Sequence, residues 1–193
     1  MVDIAARPPA TRRAPAVANT EWLTVLPHAQ RFAFYGDAQA RSAFLPAWGV
    51  EFSEEPCRAH SNATRATLWM GPDEYLLLDW APGASEAGAS AAAFAALESP
   101  MAGMSYSLVD VSHRQFAVSV NGPHAADILN GACPLDLDLS EFPIGMCTRT
   151  VFAKAGIVLC RTAQDAFHVE IWRSFAGYVT GVMAEIASEF YSR

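Results

Sequence analysis

An α+β fold, with antiparallel or mixed sheets, covering helices and two similar half-units, is what the 193-residue chain predicts. Three observations point to it. Short apolar runs of strand length recur between Gly, Pro and Asp turn residues. The segment WMGPDEYLLLDW of Trp69–Trp80, followed by a helical pattern, parallels RTAQDAFHVEIW of Arg161–Trp172, followed by another. Two units of strands plus a covering helix give this class. Finally, 52% of the residues are hydrophobic and 17% charged, against about 25% charged in an ordinary domain. Such a balance fits either a large core or a surface that is partly buried against a partner.

Residues 1–20 carry Pro8, Pro9 and Pro15 with Arg7, Arg12 and Arg13, and little apolar periodicity. They read as an extended or disordered arm, either a loose terminus or one that orders against an acidic partner. Residues 21–193 read as one domain, with half-units 21–105 and 106–193. Trp22–Tyr35 reads as two short strands broken at Pro27. Asp37 caps a helix through Phe44 that ends before Pro46. Leu68–Met70, then Gly71-Pro72-Asp73-Glu74, then Tyr75–Trp80 form strand, turn and strand. The alanine-rich stretch Ser85–Glu98 is helical, with Phe94 and Leu97 on one face, and Pro100 stops it.

Val109–Val120 alternates as one half-buried strand, bent near His113. Gly122-Pro123 opens a short helix, since proline suits the first helical position. Ala125, Ile128, Leu129 and Ala132 lie on one face of it, and Gly131 ends it. Thr148–Arg161 is a hairpin turning around Lys154-Ala155-Gly156, and Ala166–Trp172 is the next strand. Ser174 caps the last helix. Its apolar stripe is Phe175, Tyr178, Val179, Val182, Met183, Ile186 and Phe190, expected to pack on the protein's own sheet.

Net charge is −7, which disfavours nucleic acid as a partner. No apolar run reaches membrane-span length, so no membrane association is expected. Cys57, Cys133, Cys147 and Cys160 are scattered without a CxxC pair, which fits a reducing cytoplasm. His28, His60, His113, His124 and His168 share no metal spacing. Neither a P-loop nor a dinucleotide fingerprint is present. Gly103–Ser107 lacks the final glycine of a nucleophile elbow.

Asp136 and Asp138 alternate with Leu135, Leu137 and Leu139. The leucines are expected to pack inward while the aspartates face water. His113-Arg114 reads as a solvated strand bend rather than an anion site. Arg149 and Arg173 are better placed for structural or interface ion pairs. No catalytic, cofactor-binding or metal-binding residue is assigned.

Asp110-Val111-Ser112, the following strand, the Gly122-Pro123 helix, Pro134–Leu137, Gly145 and Thr150 resemble the folate-binding domain of glycine-cleavage T proteins. More narrowly, LWMGPDEYLLL (Leu68–Leu78), DVSHRQ (Asp110–Gln115), CPLDL (Cys133–Leu137), the Phe142–Thr150 segment and Trp172–Tyr178 resemble the gamma subunit of heterotetrameric sarcosine oxidase. The T-protein resemblance implies an acidic residue in the hairpin after the short helix. Leu159 and Cys160 stand where it is expected, and neither can act as a carboxylate base. Cys147 is the nearest echo of the reactive cysteine in related iron–sulfur maturation factors, but its lysine and glutamine companions are missing.

The gamma-subunit resemblance implies a non-catalytic chain that helps hold alpha, beta and delta subunits together. Those partners would carry FAD, NAD, FMN, the tetrahydrofolate site and zinc, and oxidise sarcosine with formation of methylenetetrahydrofolate and hydrogen peroxide. Two other expectations remain open at this level. The chain could be a free-standing folate-binding or aminomethyltransferase-like protein. It could also be a gamma-like subunit of another N-methyl amino acid dehydrogenase.

Overall fold

The computed structural model describes residues 17–82 and 94–191. The strands are β1 (Leu23–Val25), β2 (Gln30–Gly36), β3 (Ala59–Ser61), β4 (Arg65–Gly71), β5 (Glu74–Asp79), β6 (Tyr106–Asp110), β7 (Gln115–Asn121), β8 (Cys147–Phe152), β9 (Ala155–Ala163) and β10 (Ala166–Trp172). The helices are α1 (Ala38–Trp48), α2 (Ala125–Asn130) and α3 (Ala176–Ala187), and residues 94–98 are also helical. The strands form two five-stranded antiparallel sheets. One has the order β3-β4-β5-β2-β6, the other β8-β9-β10-β7-β1.

The two orders are the same pattern shifted by five strands, except at the last position. There each sheet takes a strand from the other half: β1 pairs with β7, and β6 with β2. The chain therefore changes sheet twice, at residues 26–29 and 111–114. These two switch segments lie side by side, with the His28 and His113 rings 5.9 Å apart.

Strand alternation explains the layering. On β5, Tyr75 and Leu77 join the core under α1, while Leu76 and Leu78 join the cluster between the sheets. On β9, Ile157 and Leu159 point to α2 and α3, and Val158 and Cys160 point to the other sheet. Strands buried on both faces read as continuous apolar runs, as in YLLL. The result is helix, sheet, sheet, helix. Phe34 stacks on Phe44 at 5.1 Å, and Trp48 Nε1 donates to Thr67 Oγ1 at 2.8 Å. Gly131 lets α2 approach α3, since a Cβ there would lie 2.8 Å from Ile186.

Several element-level expectations change. Helix α1 continues through Pro46 to Trp48 and ends at Gly49, whose left-handed conformation (φ 78°) lets its N–H reach Leu45 O. The anticipated single strand Val109–Val120 is β6 and β7 in different sheets, because the bend at His113 is a sheet switch. The β8–β9 turn sits at Ala153-Lys154, with Ala153 at φ 51°. Strand β3 has no strong sequence signal. Ser174 makes no capping bond: a 3₁₀ turn, Arg173–Phe175, precedes α3. That turn rotates the helix, so Val179 and Met183 are buried while Phe175, Tyr178 and Phe190 are exposed. The arm up to residue 16 and the helix start over 85–93 lie outside the described residues.

Candidate functional site

The seam between the sheets collects most of the polar chemistry. On β10, Phe167, Val169 and Ile171 enter the helix-covered core, so His168, Glu170 and Trp172 face the other sheet. On β2, Phe32 and Phe34 point to α1, so Arg31 faces the seam. Arg31 Nε donates to Glu170 Oε2 at 2.7 Å across the two sheets, and both side chains are fully buried. His168 Nε2 lies 2.8 Å from the other carboxylate oxygen. Arg31 Nη1 donates to Ala29 O, and its backbone N–H to Ser112 Oγ, tying the pair to both switch segments.

Burial alone would push the Glu170 carboxyl up. The His168 hydrogen bond and the Arg31 charge outweigh it and hold the group below the usual glutamate range. Glu170 is thus held ionised, with both carboxylate oxygens engaged. A second pair crosses the seam: the Arg149 guanidinium of β8 forks onto the Glu74 carboxylate of β5.

Cavities flank the buried pair. One of about 260 Å³ is lined by Arg114, Gln115, Arg149, Glu170 and Trp172 among others, and Gln115 Oε1 has no hydrogen-bond partner. Another of about 420 Å³ is lined by Leu26, Arg31, Leu78, Trp80, Ser119 and His168. A third of about 260 Å³ touches Trp80, Ile144, Cys160 and His168.

The residues singled out by sequence are scattered. Leu159 is fully buried under the helices. Burial pushes the Cys160 thiol up to about 12, and burial with the nearby Cys160 sulfur pushes Cys147 higher still. Both stay protonated and unreactive at neutral pH. Leu137 packs inward, but Leu139 is exposed, because the segment is a series of turns rather than a strand. Asp136 and Asp138 stabilise those turns by accepting backbone N–H bonds from Asp138 and Ser140. His113 and Arg114 are exposed at a sheet switch, with the Arg114 guanidinium 5.3 Å from the Trp172 ring centroid. Of the two ion-pair candidates, Arg149 finds Glu74, whereas Arg173 Nε has no partner among the described residues. His124 contacts Asp127 and stacks on Phe190.

The donor set does not fit a metal. Both Glu170 carboxylate oxygens are taken up, by Arg31 and by His168, and Cys147 and Cys160 are buried. No group of three or more His, Cys, Asp or Glu side chains converges among the described residues. No described helix is long and apolar enough to cross a membrane. Sequence reasoning missed Arg31 and Glu170. The alternation in AFHVEIW suggests polar side chains facing water, and only the second sheet turns that face into an interior.

Residues 36–189 match the model of the sarcosine oxidase gamma subunit family. The sarcosine oxidase gamma subunit of Corynebacterium sp. (strain P-1) is 28% identical over 127 residues, or 66% of this chain. That of Arthrobacter sp. is 29% identical over 128 residues. Each match spans 59% of the relative's length. A chain of the heterotetrameric sarcosine oxidase from Corynebacterium sp. U-96 superposes with TM-score 0.78 at 22% identity, covering 89% of this chain and 85% of that one. The glycine cleavage aminomethyltransferase T of Bartonella henselae gives TM-score 0.60 at 15% identity, covering 83% of this chain and 44% of that one. The fold is thus shared with the T protein, and with a family model matching most of its length the chain belongs to the sarcosine oxidase gamma subunit family.

Proposed function

We propose that this chain is a non-catalytic gamma subunit of a heterotetrameric sarcosine oxidase. It stabilises partner alpha, beta and delta subunits that bind FAD, FMN, NAD, tetrahydrofolate and zinc in the cytoplasm. The assembly demethylates sarcosine oxidatively to glycine, forming methylenetetrahydrofolate and hydrogen peroxide. The observation that carries this reading, beside family membership, is the commitment of the seam's chemistry to structure. Glu170 is ion-paired with Arg31 and hydrogen-bonded to His168, and Leu159 and Cys160 occupy the hairpin where an acid is expected. A chain built this way contributes surface, not proton transfer.

The test is co-expression with flavin-bearing subunits. The expected result is one co-eluting complex that oxidises sarcosine, with no turnover by the purified chain alone. Turnover of a one-carbon substrate by the isolated chain would overturn the reading. The T-protein-like fold and the seam cavity beside Gln115 favour a second reading, folate binding by the chain itself. Calorimetry of the isolated chain with tetrahydrofolate separates the two, since tight binding supports only the second. Oxidation of a different N-methyl amino acid by the complex would instead assign the subunit to a related dehydrogenase.

A further inference from the structure

The region where β10 runs into α3 differs from the rest of the surface. Trp172 is 50% exposed, Phe175 43% and Tyr178 42%, three large apolar side chains within seven residues. Phe175 and Tyr178 stand three positions apart where α3 begins and share a side of it, while Trp172 ends β10 and lines the seam cavity just before them. Arg114 lies over the Trp172 ring, and the Arg173 N–H donates to Arg114 O at 2.9 Å, so both arginines belong to this patch.

Their freedom is unusual in this molecule. Arg31, Arg41, Arg58, Arg65 and Arg149 each pair with a carboxylate, and Arg161 donates to three backbone carbonyls. Among the described residues, the Arg114 and Arg173 side chains alone of the arginines have neither kind of partner. In a chain of net charge −7, the two unneutralised guanidiniums stand together beside the exposed aromatics. The adjoining switch segments add His28 and His113. Burial, then Arg31, His113 and Arg173, lower the proton affinity of His28, and only Asp110 opposes them. Aromatic and arginine side chains are the types that dominate the energetic centres of interfaces.

Resting on the subunit reading above, we infer that the Trp172–Tyr178 face with Arg114 and Arg173 is the docking surface for an acidic, apolar-bearing segment of another subunit of the assembly. A two-fold contact with a second copy would set one positively charged patch against another, which disfavours self-association, so the occupant is a different chain. Carboxylates of the partner take the guanidinium donors, and its apolar side chains cover the aromatic stripe.

The experiment uses the co-expressed complex. The wild-type chain is compared with Arg114→Glu/Trp172→Ala, with Tyr178→Glu, and with Ile144→Glu, an exposed apolar position on a different loop. Thermal melts of each isolated chain check folding. The expected result is a ten-fold or greater loss of subunit affinity for the first two variants and none for Ile144→Glu. Raising salt should weaken wild-type binding more than binding of the Arg114→Glu/Trp172→Ala variant. Wild-type affinity in both face variants would overturn the inference while leaving the subunit reading intact. A sedimenting homodimer broken by the face variants would overturn it in favour of self-association. Failure of the wild-type chain to associate at all would overturn both.

Discussion

The outer layers and the seam are built from different materials. Beneath α1, Phe32, Phe34, Phe44, Trp48 and Tyr75 interlock, with the Arg65 guanidinium 4.8 Å from the Trp48 ring centroid and the Arg41 guanidinium 5.8 Å from that of Tyr75. Beneath α2 and α3, an apolar core from Phe116 and Val118 through Met183 and Ala187 takes in the buried Arg161, whose guanidinium lies 4.6 Å from the Phe167 ring centroid and donates to backbone carbonyls rather than to a carboxylate. Between the sheets, a small apolar cluster shares the space with Arg31–Glu170, His168, Gln115, Arg149–Glu74 and three cavities. Apolar contact is non-directional and supplies most of the stabilisation. Ion pairs are directional and of uncertain net stabilisation once desolvated. The helix-covered layers therefore hold each half together, while the seam fixes how one half sits on the other.

The largest expected effect breaks an outer layer. Met183→Asp places an unpaired charge in a fully buried position and should cost more than about 4 kcal/mol, enough to prevent folding at ordinary temperature. Denaturant titration or loss of expression in the native fraction would register it. Next comes the seam. Glu170→Ala strands a buried guanidinium and should cost about 3–5 kcal/mol by denaturant unfolding. Arg31→Met/Glu170→Leu removes both charges and should recover most of that loss. A double variant as unstable as the single one would mean the pair contributes more than charge neutralisation.

A smaller effect is set by pH. The folded Glu170 carboxyl is held below its unfolded value, so its contribution is fully present above the unfolded glutamate pKa, about 4.3. It declines as pH falls below that and is gone below the lower folded value. The acid limb of stability should be shallower in Glu170→Gln, which lacks the titrating group, than in the wild-type chain. Smallest is Tyr178→Asp. On an exposed helix face it should change stability by no more than about 0.5 kcal/mol, although the same position lies in the proposed docking face.

Much of the layering was legible in the chain. The Leu68–Met70 and Tyr75–Trp80 runs around Gly71–Glu74 marked a strand, turn and strand, and the parallel between Trp69–Trp80 and Arg161–Trp172 marked two similar sheets. The buried Arg31–Glu170 pair was not legible. Its partners are 139 residues apart, and polar alternation looks identical whether water or a second sheet lies opposite. The burial of Tyr178 was misjudged for a local reason. Helical periodicity fixes which residues share a side but not the phase of that side, and the 3₁₀ turn at Arg173–Phe175 sets the phase. The residues without chemistry, Leu159 and Cys160, were readable only through family resemblance, because a leucine in a strand carries no sign of what it replaced.

The exchange of β1 and β6 between the sheets binds the two similar sheets into a single topological unit. A gene cut between the repeats would yield one fragment with β1 and no β7 beside it, and another with β6 and no β2. Each would expose an open backbone edge at the place its neighbour should fill, an invitation to aggregation. With both crossings inside one chain, residues 21–105 and 106–193 are stitched together by backbone hydrogen bonds, and neither stretch completes its own sheet without the other.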